Sequence, residues 1–135
     1  MKKNKISKNW INRQRKDIYV RKSKIEGYRS RAVYKLKEID EKFKIFRQVN
    51  SLVDLGAAPG SWSQYASKKI KSEKILSIDL IKFEKIKNSQ QIIGDFTDEN
   101  CKEEIKKYFD TKIDLVISDM AVNNPSNVPD PILKS

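Results

Sequence analysis

The segment VDLGAAPGSW, Val53 to Trp62, constrains the chain most, because an apolar strand runs directly into a glycine turn and then into a helix-forming stretch. Such a unit is how an α/β domain brings its backbone close to a nucleotide-like ligand, since glycine tolerates positive φ and has no Cβ to hold the ligand off. Three further apolar runs end in the same manner. KILSID closes on Asp79, QII is followed by Gly94 and Asp95, and IDLVIS leads into Asp119. Ligands of an open parallel sheet bind outside the carboxyl ends of its strands, so these residues are expected to converge on one pocket.

The alternation predicts strands near 51–55, 74–79, 91–93 and 113–118, with helices near 60–70 and 98–109, paired in parallel through right-handed crossovers. Upstream, Ser30 is expected to cap a helix running to about Phe46, with Val33, Leu36, Ile39, Phe43 and Phe46 as its core-facing stripe. Residues 7–24 suit a short or broken helix with a basic outer face, residues 1–6 are expected to fray, and Gly27 marks a turn. The tail NNPSNVPDPILKS reads as a loop and a fresh helix start, with Asp130 as N-cap and Pro131 at the first helical position. The length of 135 residues supports one domain but falls short of a full doubly wound sheet. The expected architecture is therefore an incomplete Rossmann-like α/β sheet of four parallel strands, its last strand left as an edge. Residues 1–50 form a basic helical N-terminal extension, and residues 51–135 the first part of the sheet domain.

Charge divides the chain at the same place. Residues 1–50 carry 17 Lys and Arg against 5 Asp and Glu, a net +12, whereas residues 51–135 carry 12 against 13, a net −1. All six arginines (Arg13, Arg15, Arg21, Arg29, Arg31 and Arg47) precede residue 50, which a mere coding bias toward lysine would not produce. A basic segment beside a near-neutral domain is the electrostatic footprint of a polyanion, nucleic acid being the commonest.

Other chemistries are excluded by composition. The chain has no histidine, which removes Ser-His-Asp and Cys-His catalysis and the usual zinc sites, and its single cysteine, Cys101, can form neither an internal disulfide nor a C-x-x-C site. Cys101 is expected as a small packed residue of a helix, and no metal is expected. No apolar run is long enough to cross a membrane, so a soluble, cytoplasmic protein is expected, and a monomer is expected as well.

The glycine turn is neither G-x-G-x-x-G nor a phosphate-binding P-loop, since no Gly-Lys-Ser/Thr follows it. Asp79 lies 23 positions after Gly56, near the spacing at which a carboxylate takes a ribose diol, a signal shared by dinucleotides and S-adenosylmethionine. Trp62 reads equally as a helix residue packing on the sheet or as a ligand-facing ring. Asp95 and Asp119 could serve turns and helix caps, and periodicity alone makes Lys35 a solvated lysine like Lys37.

The segments RSRAVYKLKEID, VDLGAAPGSWSQY, SIDL, GDFTDE and SDMA, in this order, resemble the bacterial RlmE family (FtsJ/RrmJ, heat-shock type) of 2′-O-methyltransferases that modify a uridine of large-subunit ribosomal RNA. The resemblance covers residues 27–124. It implies a Rossmann-like methyltransferase fold, S-adenosyl-L-methionine as cofactor, and large-subunit ribosomal RNA, within the ribosomal subunit, as partner. Carried over by position, Gly60, Trp62, Asp79, Asp95 and Asp119 would bind the cofactor. Lys35 and Asp119 would be the first lysine and the aspartate of a Lys-Asp-Lys-Glu catalytic set.

Methyl transfer from a sulfonium is an in-line displacement that needs an aligned, deprotonated 2′-oxygen and no acid for the leaving group. Three departures from the family pattern stand out. Ser61 replaces a glycine after the APG turn, Val122 stands where the family has proline, and the second lysine and the glutamate belong to later strands with no counterpart in these 135 residues. Lys134 lies too early to be that lysine. The sequence is thus read as a truncated enzyme expected to show negligible methyl transfer, the alternative being a non-catalytic RNA-binding remnant.

Overall fold

The computed structural model describes residues 2–72, 74–120 and 132–133, the first six and the last two of these by their backbone only. Four helices, α1 (Lys2–Glu26), α2 (Val33–Phe43), α3 (Ser61–Lys69) and α4 (Glu99–Tyr108), accompany strands β1 (Ser51–Leu55), β2 (Lys74–Asp79), β3 (Gln90–Ile93), β4 (Leu115–Ser118) and β5 (Ile132–Leu133). The sheet order is β3-β2-β1-β4-β5. The first four strands are parallel, as expected from their alternation with helices.

β1 is buried along its whole length because helices cover both faces of the sheet around it. Leu52 points into a cluster with Val33 and Leu36 of α2 and Trp62, Tyr65 and Ala66 of α3. Val53 and Leu55, one residue out of phase, join Leu76, Ile78, Cys101 and Phe109 on the α4 side. This two-residue period fixes register, since a slip of one position would send Asp54 and Ser77 into the wrong layer. Cys101 is buried in α4, as expected of a small packed residue.

Several expectations are corrected. Residues 2–26 form one continuous helix rather than a frayed end and a broken helix, about 37 Å long at 1.5 Å per residue. It ends at Gly27 (φ 81°), where Gly27 N–H donates to Lys24 O and Tyr28 N–H to Ser23 O, the paired bonds of a Schellman cap. α2 starts at Val33 without a side-chain cap, and stops at Phe43 because Lys44 turns left-handed (φ 53°). Phe43 is consequently exposed, outside the core stripe to which Val33, Leu36 and Phe46 do belong. Ile132–Leu133 is a strand paired antiparallel with β4, not the start of a helix, so β4 is not the sheet edge. Val122, Asp130, Pro131 and Lys134 lie outside the described residues. Among the described residues no helix is long and apolar enough to cross a membrane.

Candidate functional site

Sheet order reverses between β1 and β4, and the register aligns the strand ends that carry the predicted residues. Leu55 pairs with Ile78 and with Ser118, and Asp79 pairs with Ile93, so Gly56, Asp79, Gly94 with Asp95, and Asp119 emerge along one rim. Gly56 has a left-handed backbone (φ 71°), and an added Cβ there would be strained and would collide with the Met120 side chain. Gly60 (φ 115°) opens α3 and is hemmed in by Ile86 and Arg29.

A cleft of about 360 Å³ lies over this rim, lined by Gly56, Ala58, Asp79, Leu80, Gly94, Asp95, Phe96, Asp119 and Met120. Asp79 is set by its own turn: Ala58 N–H donates to Oδ2 at 2.9 Å and Ile81 N–H to Oδ1 at 3.1 Å. Each carboxylate oxygen keeps a second lone pair for a ligand. Asp95 Oδ1 accepts from the N–H and hydroxyl of Thr97, which hold its carboxyl below the usual carboxylate range. That is the turn-making role open to it from sequence, performed on the lip of the cleft.

A second cleft, about 490 Å³, opens on the other side of Asp119 between α1, α2 and the end of β4. Tyr19, Ser30, Arg31, Ala32, Tyr34, Lys35, Glu38, Asp119 and Met120 line it. Lys35 Nζ donates to Asp119 Oδ1 at 3.1 Å across 84 positions of sequence. A smaller recess of about 70 Å³, bordered by Asp54, Gly56, Ser61, Trp62 and Asp119, lies between them. Asp119 therefore lines all three spaces.

Trp62 borders the recess but is only 3% exposed, and its indole N–H donates to Ala32 O at 2.8 Å. Its ring is a wall that fastens α3 to the turn before α2. Gly60, Asp79, Asp95 and Asp119 all sit at strand-end turns, whereas Lys35 reaches the rim from α2.

Two residues of the site are not singled out by sequence reasoning. Asp54, 1% exposed, accepts from the Ser63 hydroxyl at 2.6 Å, and Ser63 shares a further bond of 2.6 Å with Ser77. Burial raises its pKa from 3.8 to about 7 against the opposing bond from Ser63, with Asp119 and Asp79 adding to the rise. The available signal was a carboxylate inside an otherwise apolar strand. Arg29 is the other: its guanidinium donates to the carbonyls of Pro59 and Lys85, each at 2.9 Å, and of Glu84, tying the glycine turn to the loop after β2.

A parallel sheet whose strand ends carry carboxylates around a glycine turn defines a Rossmann-like domain with a nucleotide-type cleft. The chain belongs to the FtsJ-like methyltransferase family, which it matches over residues 28–134. It is 62% identical over 123 residues to "Ribosomal RNA large subunit methyltransferase E" of Pelagibacter ubique, covering 91% of this chain and 61% of that protein. The protein of the same name from Rickettsia akari is 53% identical over 123 residues, covering 87% and 54%. The chain thus spans little more than half the length of these relatives. A crystal structure of a ribosomal RNA methyltransferase from Plasmodium falciparum superposes with a TM-score of 0.63 at 34% identity, covering 74% of this chain and 60% of that one.

Proposed function

We propose that the chain carries the cofactor half and the first acceptor residues of an enzyme that transfers a methyl group from S-adenosyl-L-methionine to the ribose 2′-oxygen of a uridine in large-subunit (23S) ribosomal RNA. The observation that carries this reading is the Lys35–Asp119 pair, standing at the junction of two clefts. One cleft has the volume and lining of a small-ligand site, and the other opens beside the basic α1.

The donor set of the first cleft fits the cofactor. Asp79, Asp95 and Asp119 line it and give it acidic character, which suits a ligand bearing a sulfonium and an ammonium group. When bound, S-adenosylmethionine supplies the electrophilic methyl. Under this reading Asp79 accepts from the ribose hydroxyls and Asp95 from the adenine amino group. The side chains absent at Gly56 and Gly60 allow the backbone close approach, and Trp62 closes the wall. On the acceptor side Lys35, held by Asp119, offers N–H donors that fix the 2′-oxygen in line with the methyl, a positioning effect, while the 2′-hydroxyl proton would pass to the second lysine that the family resemblance implies. The names of the relatives support ribosomal RNA as substrate.

Calorimetric titration of S-adenosylmethionine into the chain tests the cofactor assignment. Asp79→Ala is expected to bind on the order of 10-fold or more weakly, the loss of a charged acceptor from two hydroxyls. Equal affinity in that variant would remove Asp79 from the ribose.

A further inference from the structure

We infer that Tyr19 is a stacking platform for a base of the single-stranded RNA that enters the second cleft, an inference that rests on the RNA reading above. The α1 helix brings Tyr19 to the wall of the cleft that holds Lys35 and Asp119. Tyr19 is 42% exposed, and its ring lies stacked on Tyr34 with centroids 5.3 Å apart and planes 29° from parallel.

Tyr34 is the anchored member of the pair. It is buried, donates its hydroxyl to Glu26 at 2.9 Å, meets the edge of Tyr28 at 6.4 Å, and carries Lys22 Nζ 4.9 Å from its ring centre. A single exposed aromatic residue needs no explanation. Tyr19 differs because a rigid partner presets its plane, and because the cleft it faces offers Arg31 for a phosphate and Lys35 for a ribose. Aromatic planes interleaved with cations are how proteins hold unstacked single strands, each base having a π-face whatever its identity. Glu38, on the same cleft, disfavours a phosphate at its own end and so directs the backbone toward Arg31. The resulting order along the strand is phosphate at Arg31, acceptor ribose at Lys35, and a neighbouring base on Tyr19.

The test compares a fluorescein-labelled hexauridylate with a hexameric ribose-phosphate of the same charge that lacks bases, by anisotropy on the whole chain. The wild type is expected to bind the base-containing strand roughly 5- to 150-fold more tightly, the range of one base–aromatic stack. Tyr19→Leu keeps apolar bulk on Tyr34 without a π-face and should abolish that preference, whereas Tyr19→Phe should keep it. The dependence of affinity on salt should be the same in all three, since no charge changes. A base preference that persists in Tyr19→Leu, or equal affinity for both strands in the wild type, overturns the stacking role while leaving RNA binding intact. Failure to bind either strand overturns both this inference and the RNA reading.

Discussion

Asp54 Oδ2 accepts from the Ser63 hydroxyl at 2.6 Å beside the recess bordered by Trp62 and Asp119, so a fully buried carboxyl on β1 is held against the first turns of α3. Its pKa is raised to about 7 in the fold from 3.8. The folded chain therefore retains a proton that the unfolded chain has released, and stability must fall as pH rises from about 4 to 7, then level off. The size of that fall is on the order of 4 kcal/mol at most. Asp54→Asn keeps an oxygen acceptor for Ser63 and stays neutral, so its stability should vary less with pH, with the largest gain over wild type above pH 7. Urea denaturation at pH 5 and pH 8 measures this; parallel pH dependence in both proteins would contradict it.

Arg29 should link stability to cofactor binding, because its fork holds Pro59 on one loop and Glu84 and Lys85 on another. Lysine cannot reproduce a planar fork to three carbonyls. Arg29→Lys and Arg29→Ala are both expected to lose about 1–3 kcal/mol of stability and to bind S-adenosylmethionine more weakly. Unchanged affinity in a folded Arg29→Ala protein would confine the residue to surface packing.

Much of this arrangement is legible in the sequence because strand ends are punctuated. The apolar runs that close on Asp79 and lead to Asp119 occupy the expected strands, and glycine marks the turns. What sequence patterns miss depends on packing across distance. Lys35 has the periodicity of a solvated lysine and is 67% exposed, yet its ammonium reaches a carboxylate on another element. Phe43 fits an apolar stripe but falls where the left-handed Lys44 ends the helix. Asp54 is a letter within the glycine motif whose burial follows only from helices covering both faces of β1. The length of α1 escapes periodicity because residues 8–17 are all exposed and bury no apolar face to register.

The exposed basic stretch of α1 around Arg13 to Lys16 should supply nonspecific RNA affinity. Replacing Arg13, Arg15 and Lys16 with glutamine is expected to weaken binding to every single strand alike. The slope of log affinity against log salt should fall by about 0.7 for each of the three that meets a phosphate. An unchanged slope would make this end of the helix a solubilising segment.

Lys35 and Asp119 are proposed to present a ribose 2′-oxygen to a methyl donor, and the position of the transferred methyl tests this. Tritiated S-adenosylmethionine would be supplied to undermodified large ribosomal subunits with the chain joined to the C-terminal portion of the Pelagibacter ubique relative, since the match covers 61% of that protein. The RNA is then digested to nucleosides and separated. Label is expected in 2′-O-methyluridine, reduced on the order of 10²-fold or more by Lys35→Ala through lost positioning. Label on a base, or undiminished transfer with Lys35→Ala, would contradict it.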